Sequence, residues 1–390
     1  GDGVRTASLF EADRLTLEDS LEMSVASLAA YGDRYRHWAI AYSGGKDSTA
    51  TAAFVLWALA EGKVKPPESL TVLYADTRQE LPPLQAAAVR ILDTVRSRGH
   101  QAHVVLPEMD ERFYVYMLGR GVPPPSNTFR WCTEQLKIRP MQDALTGIRD
   151  RTGQKLLMLT GVRLGESAAR DQRIAVSCSK DSGECGQGWF QVATPESVAD
   201  TLAPLLHWRL CHVYDWLYFE PERHGLDTSG IAAVYGEDEV RTGCVGCNLA
   251  SRDNALERLV RQPEWEHLRP LLEIKPLFAE LKMAKRRKRK SEPEMRQDGK
   301  WAQNVQRLGP LTMEARAYGL ERIKDIQRRA RVDLVNTEEE QRIRELWAAN
   351  TWPNKWTGDE VNGDKLLDAL TVNGYGEIIS QPILMETPYA

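Results

Sequence analysis

A short apolar run, His37-Trp38-Ala39-Ile40-Ala41-Tyr42, stops at Ser43-Gly44-Gly45 and gives way to a helix-forming, apolar stretch from Asp47 to Ala60. The run has the length of a buried strand, and the paired glycines punctuate it. Residues 47–60 carry Phe54, Val55, Leu56, Trp57 and Leu59 without a breaker. The spacing predicts strand, tight turn, helix. A chain that begins its apolar pattern this way must bury the strand within a sheet and cover that sheet with helices.

The pattern repeats. Leu70-Thr71-Val72-Leu73-Tyr74-Ala75 predicts a second strand ending at Asp76, and Leu84, Ala88, Ile91, Leu92 and Val95 mark one face of a following helix. His103-Val104-Val105-Leu106 predicts a third strand and Lys155 to Val162 a fourth. An amphipathic helix over 15–31 precedes them all. Strands that alternate with helices imply an α/β fold, a mainly parallel sheet sandwiched by helices. Ligands of such sheets sit beyond the carboxyl ends of the strands, so Ser43, Asp76 and Gly161 are expected to share one crevice. From about 255 onward no convincing strand is legible, whereas Leu311–Arg331 and Thr337–Ala349 read as helices. The expected organisation is an N-terminal helical segment over 1–36, the α/β domain over 37–255, and a smaller C-terminal helical domain over 256–390.

Hydrophobic residues make up 42% of the 390 and charged residues 27%, which fits a soluble globular protein. No run of 18 apolar residues exists, so no transmembrane helix and no membrane partner is expected. No secretory signal is legible, and six cysteines are too few for a disulfide scaffold; both point to the cytoplasm. The net charge of −4 hides an asymmetry, because Leu281 to Arg307 carries ten Lys/Arg against three acids. Its densest part is Lys285-Arg286-Arg287-Lys288-Arg289-Lys290. Six consecutive cations repel one another, so a solvated loop or flexible arm over 282–290 is expected. Such an arm suits the phosphate backbone of DNA, though a plain basic loop has the same composition.

The chemistry of the first turn is that of a phosphate site. Gly44 and Gly45 let the backbone approach a ligand, and the helix start adds unpaired N–H groups and a positive dipole end. Ser43 and Ser48 add hydroxyls, and Lys46 a point charge. The G-x-x-x-x-G-K-[ST] spacing of the ATPase P-loop is absent. The string Ser43-Gly44-Gly45-Lys46-Asp47-Ser48 resembles the signature of the PP-loop ATP pyrophosphatases, of adenine-nucleotide α-hydrolase-like fold. That resemblance implies cleavage of ATP between its α and β phosphates, with adenylation of an acceptor. Arg130-Trp131-Cys132-Thr133-Glu134-Gln135-Leu136-Lys137-Ile138-Arg139-Pro140, Thr160-Gly161-Val162-Arg163 and Pro204-Leu205-Leu206-His207-Trp208 are similar to the phosphoadenosine phosphosulfate (PAPS) reductase branch. With Arg241-Thr242-Gly243-Cys244-Val245-Gly246-Cys247 and the basic tail, the likeness is greatest to the Dnd/Ssp-type DNA phosphorothioation proteins, of DndC or SspD type. It covers residues 37–255 with good motifs and 256–390 more loosely.

Cys244 and Cys247 form a C-x-x-C pair, and Cys178 and Cys185 a second pair in a loop of small and polar residues. Four thiolates would suit a [4Fe–4S] cluster or zinc; free thiols are the plain alternative. Cys132 is a rival ligand, because the cluster-bearing sulfonucleotide reductases place a Cys-Cys pair where Trp131-Cys132 stands. The DndC pattern has two further cysteines shortly before its C-x-x-C, and residues 212–243 contain none. Cys211, among Leu210, Val213 and Trp216, reads as a core thiol. Arg163, Arg170 and Arg173 could hold phosphates by their guanidinium forks or lie on the surface. Asp76 could face ribose or Mg²⁺, and Asp47 could orient the loop helix. None of the seven histidines falls in a catalytic pattern.

The resemblance thus implies ATP binding by Ser43, Gly44, Gly45, Lys46, Asp47, Ser48, Asp76, Gly161 and Arg163, with Lys46, Asp47 and Cys132 in catalysis. The implied reaction is sulfur insertion into the DNA backbone, in bacterial antiviral defence. The implied partners are DNA, a cysteine desulfurase and other phosphorothioation-system proteins. Three other readings use the same features: a tRNA thiolation enzyme, a sulfonucleotide reductase and a non-catalytic ATP-binding scaffold. The reductase reading needs a redox cysteine in a C-terminal tail. Gly183-Glu184-Cys185-Gly186 resembles that motif but lies internally, and no cysteine follows Cys247.

Overall fold

The computed structural model describes residues 15–126, 128–132, 134–164, 197–235, 254–365 and 367–381. The chain divides into two compact units, one of residues 1–107 and 133–244, the other of 108–132 and 245–390. The first helix segment belongs to the first unit, and the stretch 108–132 departs to the second before the chain returns.

The first unit is built on a five-stranded, all-parallel sheet. In chain order its elements are α1 (Leu17–Gly32), β1 (His37–Tyr42), α2 (Lys46–Ala60), β2 (Ser69–Ala75), α3 (Pro82–Ser97), β3 (Gln101–Val105), α4 (Arg139–Thr152), β4 (Leu156–Leu159), β5 (Ala199–Leu202), α5 (Leu210–Phe219), α6 (Pro221–His224) and α7 (Ser229–Tyr235). The strand order is β3-β2-β1-β4-β5. β1 lies at the centre, with Ile40 opposite Val72 on one side and Leu159 on the other. Alternation along β1 sends Ala39 to a core with Leu73, Met158, Leu145 and Ile148, the last two from α4. Tyr42 points the other way, where its hydroxyl accepts from Thr49 of α2 at 3.2 Å. Helices therefore cover both faces, as the alternating pattern required. β5 was not legible: Ala-Asp-Thr-Leu has no strand signature and is a strand because β4 pairs with it.

α2 is buried on every side from Ser48 to Ala58. A helix apolar all round belongs in a core, and the Trp57 and Trp216 rings pack edge to face on it. α1 starts with a capping box between Thr16 and Asp19. It is fastened by Ser24, whose Oγ donates to Pro204 O (2.7 Å) and accepts from Trp208 Nε1 (2.9 Å). On α5 the buried stripe is His212, Val213, Trp216 and Leu217. Cys211 falls off that stripe and is exposed, so the expected core thiol is a surface thiol.

The second unit contains α8 (Asn254–Leu259), α9 (Ile274–Leu281), β6 (Arg287–Arg289), β7 (Leu308–Leu311), α10 (Met313–Ala330), α11 (Thr337–Ala348), β8 (Val361–Asn362), β9 (Ala369–Val372) and β10 (Ile378–Gln381). The two helices read from sequence are α10 and α11. Besides these helices the C-terminal region carries short strands that were not legible: β6 runs antiparallel between β7 and β8, and β9 and β10 pair as a hairpin. The basic run is also not a flexible arm. Its residues 287–289 are the middle strand, and 286–290 are half-buried. Repulsion is offset by partners distant in sequence. Arg286 pairs with Glu280 (2.8 Å), Arg287 Nε donates to Gly309 O (2.8 Å), Arg289 donates to Gly363 O and Gln306 O, and Lys290 lies between Glu294 and Glu360.

Arg316 of α10 is fully buried. It donates to the carbonyls of Leu311 (3.2 Å), Gly119 (3.1 Å) and Thr351 (2.8 Å), and its guanidinium lies 4.3 Å from the Trp352 ring centroid. Burial pushes its pKa down to about 10, which leaves it charged at neutral pH.

Two outcomes follow from these buried groups. Arg316→Met leaves three carbonyls without their donor and should cost roughly 3 kcal/mol in denaturant unfolding. His224, buried between Trp216 O (3.0 Å from Nε2) and the Leu226 N–H (3.1 Å from Nδ1), is held neutral, and burial lowers its pKa to about 4. Its contribution is complete above the unfolded value of about 6.5 and is lost as pH falls through about 4. Unfolding stability should therefore decline over that window, with a shallower slope in His224→Gln; His207 and His212, lowered by burial as well, supply the remainder.

Candidate functional site

The strand order reverses between β1 and β4: the chain builds outward from β1 through β2 to β3, then returns to β1's other side. A crevice opens at such a switch point, beyond the carboxyl ends of the strands. The loop Ser43–Ser48 leaves β1 on one side of it, and Thr160-Gly161 leaves β4 on the other.

Gly44 has φ +79°, in the left-handed region, and a Cβ there would lie 3.3 Å from the Tyr74 ring. Gly45 is the N-cap of α2 and provides no side-chain cap, which leaves the helix start for an external acceptor. The two serines shape the turn rather than cap it. Ser43 N–H donates to Ser48 Oγ (3.1 Å), and the hydroxyls lie 3.0 Å apart. Gly161 packs flat against this helix start, where a Cβ would sit 2.6 Å from Ser48 N and 2.7 Å from the Asp47 carbonyl carbon. Glycine is therefore required at that position by steric contact with backbone.

Asp47 organises the charges. Its carboxylate accepts from Arg163 Nε at 2.7 Å and from Lys46 Nζ at 3.3 Å. Arg163 also donates to Trp208 O at 3.3 Å, which ties the β4 exit to the start of α5. Arg163 is nearly covered, whereas Lys46 and Asp47 retain 19% and 18% side-chain exposure. The carboxylate thus holds Arg163 and Lys46 and makes no cap on the loop helix that the sequence reading had it orient.

At the β2 exit Asp76 is buried, and its two oxygens accept from the Arg78 N–H (2.9 Å) and Gln85 Nε2 (3.5 Å). These bonds make it a turn former, with Arg78 held at φ +64°. Glu80 was not singled out from sequence. It accepts from Thr77 Oγ1 at 3.1 Å, and burial raises its pKa, opposed by Lys137 and assisted by Asp76. The available signal was a carboxylate four residues beyond Asp76, just before Pro82-Pro83. Thr160 Oγ1, buried beside Gly161, has no hydrogen-bond partner among the described residues.

The structure thus brings together Ser43, Gly44, Gly45, Lys46, Asp47, Ser48, Gly161 and Arg163, with Asp76 at the end of the neighbouring strand β2. Cys132 is a half-buried free thiol at the end of the segment 108–132 of the second unit. Arg170, Arg173, Cys178, Cys185, Cys244 and Cys247 lie outside the described residues. Among the described residues no group of three or more His, Cys, Asp or Glu could hold a metal ion, and no helix is long and apolar enough to cross a membrane.

A family model described as the phosphoadenosine phosphosulfate reductase domain matches residues 37–247. An uncharacterized protein of Methanocaldococcus jannaschii is 24% identical over 208 residues, which are 53% of this chain and 35% of that protein, so the chain spans about a third of its relative. Among solved structures, the phosphate complex of the PAPS reductase from Candida auris is 12% identical, with a TM-score of 0.36 over 60% of this chain and 96% of that one. The U34-tRNA thiolase NcsA from Methanococcus maripaludis, with its [4Fe-4S] cluster, is 14% identical, with a TM-score of 0.35 over 68% and 79%.

The packing around Gly161 gives a direct test. Gly161→Ala should force the start of α2 away from β4 at a cost of about 1–3 kcal/mol, read by denaturant unfolding. An unchanged midpoint would contradict the contact.

Proposed function

We propose that this chain, which belongs to the phosphoadenosine phosphosulfate reductase domain family, is an ATP-cleaving sulfur-transfer enzyme that modifies the phosphate backbone of DNA. The observation that carries the reading is the uncapped start of α2 behind Gly44-Gly45, with Lys46 held beside it by the Asp47–Arg163 pair. A helix start of this kind favours an anionic ligand, and Lys46 adds a cation where negative charge would grow on a leaving pyrophosphate.

A DNA phosphate oxygen would attack the α-phosphorus of ATP. The α–β bridging bond breaks, pyrophosphate leaves, and the acceptor phosphate carries AMP. A persulfide then attacks the acceptor phosphorus and expels AMP, and a second thiolate cleaves the S–S bond, forming a disulfide with the carrier cysteine and leaving a phosphorothioate. In this scheme the chain's own residues position and neutralise. Gly44 and Gly45 let backbone N–H groups reach the phosphates, Ser43 and Ser48 hold the turn, and Asp47 fixes Lys46 and Arg163. The sulfur source would be a cysteine desulfurase, working with other proteins of a phosphorothioation system. A [4Fe–4S] cluster would supply sulfur or redox chemistry; its candidate thiols Cys178, Cys185, Cys244 and Cys247 lie outside the described residues. Asp76 already accepts two hydrogen bonds and is not assigned a Mg²⁺.

Pyrophosphate release with ATP, DNA and sulfur donor is the first measurement. Lys46→Ala and Asp47→Ala should each lower it by roughly 10²–10³. Mass spectrometry of digested DNA should then find phosphorothioate linkages. Normal ATP cleavage that leaves DNA free of sulfur would defeat the DNA assignment, and thionucleosides in bound RNA would redirect it to tRNA thiolation. No pyrophosphate under any of these conditions would leave an ATP-binding scaffold.

A further inference from the structure

The buried stripe of α1 reads Ser20, Leu21, Ser24, Leu28 and Gly32. Ser24 is fully buried where an apolar side chain would serve a helix that only packs. A buried hydroxyl costs free energy unless its hydrogen bonds are made. Ser24 makes two: its one proton goes to Pro204 O (2.7 Å), and its oxygen receives the indole N–H of Trp208 (2.9 Å). One turn earlier, Ser20 O accepts from His207 Nε2 at 3.3 Å. Pro204, His207 and Trp208 are thus all bonded to α1.

The segment that α1 holds runs beside the β4 exit. Leu164 N–H donates to Leu206 O at 2.8 Å, and Val162 packs with Ala203 and Leu206. Between Val162 and Leu164 stands Arg163, whose Nη1 donates to Trp208 O at 3.3 Å and whose Nε donates to Asp47 at 2.7 Å. Asp47 in turn accepts from Lys46 Nζ at 3.3 Å. Trp208 is therefore bonded at both ends, by its indole to α1 and by its carbonyl to Arg163. Its ring meets Trp216 edge to face at 6.0 Å, and the residue is fully buried. A buried network with its bonds made holds its members in one arrangement.

We infer that Ser24 and Trp208 are positioning residues of the ATP site, acting through Arg163 on Asp47 and Lys46. The inference rests on the ATP-cleavage reading above and deepens it, because it makes the helix that precedes the sheet a working part of the site. Ser24 fixes the Trp208 indole, the Trp208 carbonyl fixes the Arg163 fork, and Arg163 leaves Asp47 one geometry in which to hold Lys46. The cation that meets a leaving pyrophosphate acts mainly in the transition state. Loosening it lowers kcat and leaves KM nearly unchanged.

The test pairs pyrophosphate release by the full chain with amide hydrogen exchange over residues 43–48. Ser24→Ala should lower kcat about tenfold and keep KM for ATP within about twofold of wild type. Trp208→Phe, which keeps the carbonyl and loses the indole N–H, should do the same, and the double variant should be no slower than the slower single one. In an Arg163→Gln background Ser24→Ala should cost nothing further. Thr16→Ala weakens the same helix at its capping box and should keep the wild-type kcat. Exchange over 43–48, which needs no nucleotide, should speed several-fold in Ser24→Ala and stay at wild type in Thr16→Ala. A wild-type kcat in Ser24→Ala, an equal loss in Thr16→Ala, or a tenfold loss that persists without Arg163 overturns the relay while ATP cleavage stands. A wild-type chain that releases no pyrophosphate overturns the ATP reading instead, and unchanged exchange in Ser24→Ala then overturns the relay by itself.

Discussion

The ion pair between Asp47 and Arg163 joins two crossovers that the sequence separates by 116 residues. One partner starts α2 and the other follows β4, so the pair closes the gap where the sheet changes direction. Gly161 makes that closure possible, since any side chain would collide with the backbone it must touch. Everything proposed for the site depends on this local closure. It sets where Lys46 points and pins the β4 exit to Trp208. Charge and shape act together here: the glycine brings the chains into contact and the carboxylate makes the contact specific.

The legible part of the fold was the part in which cause and effect are neighbours in the chain. The strand His37–Tyr42, its glycine turn and the helix behind it lie within 24 consecutive residues, so periodicity and punctuation sufficed. The crevice shared by Ser43 and Gly161 followed from parallel topology alone. β5 was not legible, because Ala199–Leu202 becomes a strand only through β4. Cys211 was misjudged from its neighbours' hydrophobicity; the helix turns it away from the stripe that His212, Val213, Trp216 and Leu217 bury. Glu80 escaped notice because a lone carboxylate says nothing until burial raises its pKa.

The basic run shows the same limit from the electrostatic side. Local composition counts like charges and finds repulsion. The folded chain brings acids and carbonyls from positions 280, 294, 306, 309, 360 and 363, none of which a reading of six residues can see. A sequence rich in arginine can therefore be a structural strand, with guanidinium groups tying backbone carbonyls across a small sheet.

Arg316 has a consequence for how the protein is made. It binds Gly119 and Thr351, partners 197 residues upstream and 35 downstream. At translation rates of about 5–20 residues per second, the segment 108–132 emerges some 10–40 s before the arginine that will anchor it. During that interval the intervening residues can assemble the sheet, but the earlier segment must wait as an unclaimed apolar strip carrying Leu118 and Phe113. The nascent chain is then most vulnerable to aggregation at a point where half the molecule is already native, and its safe passage depends on synthesis running on without a pause.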